Sequence, residues 1–172
     1  MRGEATAAAQ ILPAVAADAE TIAALAAEIW RVHYADIISA AQIEYMLKQR
    51  YAPDLIRAEL ARGDTSWDKL VLDGAIIGYA SYMAAARPGE MKLDKLYVHH
   101  DHQRKGYGGR LIERAAMAAR AAGCSTLMLA VNKANAKAIA AYKKYGFRIR
   151  DSVVQPIGGG FVMDDYFMVK DV

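Results

Sequence analysis

The chain is poor in cysteine: Cys124 is the only one among 172 residues. An intrachain disulfide is therefore excluded. A lone thiol between Gly123 and an apolar run suits a small buried residue better than a reactive group, and it fits a reducing compartment, here the cytoplasm. Long hydrophobic runs are also missing, so no segment reaches the ~20 apolar residues that span a bilayer. The opening MRGEATAAAQILPAVAADAE carries Arg2 and many alanines. Glu4, Gln10 and Pro13 interrupt it, which makes a poor signal peptide. Lys and Arg never gather into a tract. The net charge of +3 and pI near 8.9 favour an anionic ligand but not nucleic acid. A G-x-S-x-G elbow is absent, which removes support for a serine hydrolase.

What is present is enough apolar material for one core. With 55% hydrophobic and 24% charged residues, the chain reads as a single globular domain over residues 1–172. No internal repeat is visible. QILPAV (Gln10 to Val15) is a short strand. Asp18 can cap a helix that carries Ile22, Leu25, Ile29 and Val32 on one face. Ser39 and Gln42 form an S-x-x-Q capping box ahead of Ile43, Met46 and Leu47. Pro53 suits a first helical position, and that helix stops at Gly63. WDKLVLDGAIIGYASYM is then two apolar runs joined by Asp73-Gly74, a hairpin signal. Met91 to His100 is a third strand, followed by a helix over about Gly108 to Ala122. A strand follows over Ser125 to Val131, and a helix over Asn135 to Tyr145. The last two strands start at Phe147 and Phe161, separated by Pro156 and the Gly158 to Gly160 run. This order predicts a mixed α/β domain.

DHQRKGYGG, from Asp101 to Gly109, sits between a strand and a helix. Free N–H groups at a helix start form an anion site, glycines let a ligand approach, and Arg104, Lys105 and Arg110 add charge. A phosphate or pyrophosphate is the natural guest; a flexible turn is the plainer alternative. A Walker loop needs Lys and then Ser or Thr after its last glycine, and Arg110-Leu111 stand there. A dinucleotide fingerprint needs a third glycine that is missing. Q-x-x-G-x-G fits Gln103, Gly106 and Gly108.

Together, LDKLYV before this loop, QRKGYGG within it, and VNKANAKAIAAYKKYGF after the next strand make the chain similar to the GNAT superfamily of N-acetyltransferases over nearly its whole length. The resemblance implies a mixed, mostly antiparallel twisted sheet with helices on both faces, splayed to open an acetyl-CoA cleft. It implies that Leu96, Tyr97 and Val98 pair with the pantetheine arm of acetyl-CoA. Gln103, Arg104, Lys105, Gly106, Tyr107, Gly108 and Gly109 would hold its pyrophosphate. Asn135, Ala138, Ile139 and Tyr142 share one helix face. Ala138 would let the ligand lie close, Asn135 would bond a pantetheine amide, and Tyr142 would protonate the departing thiolate. A core aromatic is the other reading of Tyr142. Tyr145 lies off that face and is expected to pack.

The implied reaction is direct attack of an amine on the thioester. Many family members carry a Glu where this chain has Lys92. Asp94, two residues on, is the nearest substitute base, provided that burial raises its pKa; a salt bridge with Lys92 or Lys95, with a water chain or a backbone carbonyl as base, is the alternative. His99, His100 and His102 lack a metal-ligand spacing, and no metal is expected. His33 and Tyr34 border the acceptor pocket by resemblance; a surface or packed His33 is the plainer reading. IWRVHYADIISAAQIEYML and GGGFVMDDYFMVK look like the branch of diamine and spermidine acetyltransferases. Asp94, Asp164, Asp165 and Glu44 would supply carboxylates for a polyamine; a turn or a solvated strand edge is the other reading of Asp164-Asp165. A small apolar amine and a peptide α-amine stay open as acceptors. Neither nucleic acid nor membrane is an expected partner. Many relatives dimerise through C-terminal strands, and FVMDDYFMV is apolar enough to do so. A catalytically silent acyl-CoA-binding module is the rival function.

Overall fold

The computed structural model describes residues 8–172; Arg2 and Glu4 of the N-terminal reading, and the first seven residues of the 1–172 domain, lie outside them. Turn chemistry sets the first half. Gly63, at φ 73°, ends the helix that Pro53 starts. Asp73 and Gly74 both have positive φ, 50° and 78°, as a two-residue I′ hairpin turn requires. The strands are β1 (Gln10–Pro13), β2 (Thr65–Leu72), β3 (Ala75–Ala84), β4 (Glu90–Val98), β5 (Thr126–Asn132), β6 (Arg148–Gly158) and β7 (Phe161–Asp171). The helices are α1 (Ala19–His33), α2 (Ala40–Tyr51), α3 (Pro53–Arg62), α4 (Tyr107–Ala121) and α5 (Ala136–Lys144). No helix among the described residues is long and apolar enough to cross a membrane.

One seven-stranded sheet runs in the order β1-β2-β3-β4-β5-β7-β6. Every neighbouring pair is antiparallel except β4 and β5. Helices cover both faces. On one, α1 to α3 pack Ile22, Trp30, Ile43, Tyr51 and Ile56 against Trp67 and Tyr79. On the other, α4 and α5 lie over Leu93, Leu127, Leu129 and Met168. The expected architecture is present, with local departures. Val32 is 57% exposed, because the buried stripe of α1 runs through Ile22, Ala26, Ile29 and Trp30 and Val32 falls beside it. β6 runs straight through Pro156. It is an edge strand, so the missing N–H faces no partner, and a register shift absorbs the ring. FVMDDYFMV is therefore an inner strand, and β6 forms the sheet edge beside it.

β4 and β5 position the site. They pair only at Glu90–Lys92 with Thr126–Met128. Beyond Lys92 they diverge, since β5 follows β7 to Asp165 while β4 follows β3 to Val98. The divergence opens a wedge in the middle of the sheet.

Candidate active site

A cleft of about 380 Å³ fills that wedge, a size that suits an extended small ligand. Leu96, Tyr97 and Val98 form one wall, Leu129 to Asn132 the other, and the α5 residues Ala138, Ala141 and Tyr142 close one side. Val98 and Leu96 have no β5 partner; the Val98 carbonyl accepts from Gln103, and the remaining backbone groups on that side face the wedge, where a ligand could pair strand-fashion. Tyr97 pairs with Tyr79 of β3 and sends its ring to the α1 face, where its hydroxyl lies 2.8 Å from that of Tyr34.

At the mouth, the glycine loop wraps the start of α4. Arg104 (φ 61°) and Gly106 (φ 81°) are both left-handed, which turns successive N–H groups inward, as in an anion nest. The first intrahelical bond is from Arg110 N to the Gly106 carbonyl, which leaves the preceding amides available. Arg104, Gly106, Tyr107 and Gly108 line the cleft. Lys105 is exposed beside it and does not. Arg110 turns away altogether, donating to the Ala9 carbonyl at 2.8 Å. Gly109 serves packing: a Cβ there would sit 2.6 Å from the Tyr145 ring. Gln103 braces the loop, donating to the Val98 carbonyl at 3.2 Å and accepting from Lys137 Nζ at 3.0 Å.

Asn135 is 4% exposed and lines the cleft. Its Oδ1 caps α5 by accepting from Ala138 N at 3.4 Å, so one of its polar atoms is committed to the helix. Tyr142 packs against Phe147 in the α4–α5 cluster. Burial, with a smaller push from Tyr34, raises its phenol well above the usual value. It therefore holds its proton at neutral pH.

The α1–α3 side of the cleft is polar. His33, partly buried, has its pKa lowered by burial. Tyr34 is 9% exposed. Asp94 falls at the β-bulge where Ser81 pairs with Lys95 and Tyr82 with Leu93. Its carboxylate meets Lys95 at 2.7 Å, Arg50 at 3.2 Å and Lys92 at 3.4 Å. Burial opposes its ionisation, but these cations outweigh burial and hold the carboxyl well below the ordinary range. This corrects the expectation of a raised, base-like Asp94, and the salt-bridge reading fits. Arg50 also donates to the bulged Asp94 carbonyl at 3.2 Å. Nothing in its sequence surroundings marked it, because its role comes from α2 meeting a β4 irregularity.

Asp164 and Asp165 separate. Asp164 lies outside the cleft, 2.6 Å from Lys133; Asp165 lines it and is 8% exposed. Glu44 is on the outer surface with Arg31. Glu28, His99 and His100 bring potential metal-binding atoms within 4.8 Å of one another. His99 Nε2 is 2.8 Å from Glu28, which ties the β4–α4 turn to α1, and the His99 and His100 imidazoles lie 3.9 Å apart.

This combination has counterparts. The spermidine N(1)-acetyltransferase of Thermoplasma acidophilum is 28% identical over 86% of this chain and 90% of that protein. Streptothricin acetyltransferase of Streptomyces lavendulae is 36% identical over 44% of this chain and 40% of its own length. The fold is shared with paiA N-acetyltransferase of Thermoplasma acidophilum, solved in complex with coenzyme A, at a TM-score of 0.84, 24% identity, and coverage of 96% of this chain and 100% of that one. The sequence pattern of the acetyltransferase (GNAT) family matches residues 23–147. That stretch runs from α1 past α5 and carries both walls of the cleft, so the chain belongs to the GNAT family of acetyltransferases.

Proposed function

We propose that this chain, as one domain over residues 1–172, transfers the acetyl group of acetyl-CoA to the primary amine of a small molecule, by direct attack on the thioester. The observation that carries the reading is the wedge between β4 and β5, with the α4 amides at its mouth and Tyr142 beside its interior. The pyrophosphate would lie against the Arg104 to Gly108 backbone, and the pantetheine arm along Leu96 to Val98. The amine nitrogen bonds to the thioester carbon and the C–S bond breaks. The Tyr142 hydroxyl gives its proton to sulfur and regains one from the nitrogen, now an amide. No metal takes part.

A polyamine is the acceptor that the spermidine-acetylating relative suggests, and a peptide amine belongs in the same panel. The proposal extends to the cytoplasm as location, since Cys124 is the only thiol. It extends also to a homodimer through the C-terminal hairpin, where Ile149 and Val154 are 41% and 62% exposed. The test is thiol release from acetyl-CoA with spermidine, putrescine, amino acids, amino sugars and short peptides. Turnover with one amine class supports the reading. Tight acetyl-CoA binding with no turnover on any amine supports a silent binding module instead.

A further inference from the structure

An ammonium ion has no lone pair, so amine acetylation needs a proton acceptor near the thioester. Two carboxylates line the cleft, Asp94 and Asp165, and only one is unengaged. Asp94 is held by three cations at 3.4 Å or less. Asp165 is more than nine-tenths buried, and its Oδ1 is shielded from solvent without a hydrogen-bond partner among the described residues. A buried oxygen left open costs stability, which a site that receives a donor has reason to tolerate.

Placement agrees. Asp165 lies opposite Asn132 in the β5–β7 register, and residues opposite each other share a sheet face. Leu129 and Val131 point to the α4–α5 cluster, so by alternation Asn132 and Asp165 point to the α1–α3 face. Met163, on the same face of β7, packs with the α1–α3 cluster and lines the cleft. Tyr142 belongs to the opposite cluster. Tyr34 is in electrostatic reach of both Asp165 and Tyr142. The acceptor thus has a carboxylate on one side of the wedge, and the thiolate has a phenol on the other.

We propose that Asp165 is the catalytic base: its open oxygen receives the acceptor ammonium and takes one proton, and the freed lone pair attacks the thioester carbon from the α1–α3 side. This deepens the acetyl-transfer reading above and rests on it. The balance closes: the proton on Asp165 leaves to solvent, the second nitrogen proton replaces the one Tyr142 gave to sulfur, and acetyl amide and CoA thiol remain. Arg50 from α2, Lys92 from β4, Lys133 from the β5–α5 turn, Asp164 alongside and Tyr34 at the end of α1 set the field. Burial raises the Asp165 pKa, Arg50 opposes this and Asp164 adds to it. A stronger base results than an exposed aspartate.

The experiment is kcat and KM for the best amine by thiol release, from acid to alkaline pH, in wild type, Asp165→Asn and Asp94→Asn. In wild type, kcat/KM should fall on the acid side as Asp165 protonates, at a pH above the ordinary aspartate range. Asp165→Asn should lower kcat/KM by about 100-fold or more and lose that acid limb, with CoA affinity by calorimetry unchanged; Asp94→Asn should keep the limb. If wild type turns over and Asp165→Asn stays within about threefold with its acid limb intact, or loses only KM, the base is elsewhere and the acetyl-transfer reading stands. Should Asp165→Asn not fold, the wild-type profile decides, and a flat acid side overturns the proposal. No turnover by wild type on any amine, despite CoA binding, overturns the acetyl-transfer reading and this proposal with it.

Discussion

Asp94 and Asp165 have the same side chain and open onto the same cleft, yet their environments push them in opposite directions. At Asp94 the folded pKa lies below the unfolded one. Its contribution to stability is therefore present above about pH 4 and is lost as acid carries the pH down toward the folded value. Asp94→Asn strands Arg50, Lys92 and Lys95 around a neutral amide, and breaking such a cluster costs about 3 kcal/mol. Thermal unfolding at neutral pH should show a Tm lower by roughly 6–12 °C, with the gap to wild type closing in acid. Asp165 has the reverse sign: its folded pKa is raised, so its charge is destabilising above the unfolded pKa. Asp165→Asn should raise the Tm at neutral pH, by about 1 kcal/mol or a few degrees. A lower Tm would mean that the carboxylate is paired. Tyr142→Phe removes only the proton donor. It should leave Tm and CoA affinity near wild type and lower kcat by about 100-fold or more; an unchanged kcat would return Tyr142 to a packing role.

Between elements, the contacts decide how much the sequence could disclose. Asp73-Gly74, Pro53 and Gly63 act locally, and each appears where its backbone chemistry demands. The α2 capping box is half formed. Ser39 Oγ accepts from Gln42 N at 3.1 Å, but the Gln42 amide donates to the Val162 carbonyl at 3.0 Å, across to β7. A tertiary partner outbid the local one, and no spacing could show that. The turn ahead of α4 was legible from the glycine motif, and its left-handed residues stand at the mouth of the cleft. The separate reasons for its glycines were not legible, because Gly109 depends on a tyrosine 36 residues later in the chain. The Asp94 bulge is likewise a property of β3–β4 pairing; Lys92 and Lys95 were legible as its neighbours, but Arg50, which arrives from α2, was not. Gly109→Ala should destabilise by about 1–3 kcal/mol, as overpacking does. Tyr145→Ala in the same chain should recover part of that loss. A double mutant whose cost is the simple sum, measured by denaturant unfolding, would show that the ring yields without strain.

Across the whole molecule, two cores lie on opposite faces of one sheet, and the wedge between β4 and β5 is where that sheet is interrupted. Beyond Lys92 each strand keeps one strand neighbour only, so the edge of β4 that faces the wedge has no strand to pair with, and Gln103 meets only its Val98 carbonyl. A ligand whose amides complete that edge should tie the two halves of the sheet together. Acetyl-CoA at about 100 times its Kd should add about 2.7 kcal/mol to stability, a Tm rise of roughly 5–10 °C for a chain of this size. The location of the gain is the sharper reading. Hydrogen exchange should slow at Leu96 to Val98, where the pantetheine would pair, and at the amides from Arg104 to Gly109, where the pyrophosphate would sit. The β1–β2 pairing, remote from the wedge, should change little. Protection that instead concentrates on the β6–β7 hairpin would place the ligand outside the wedge.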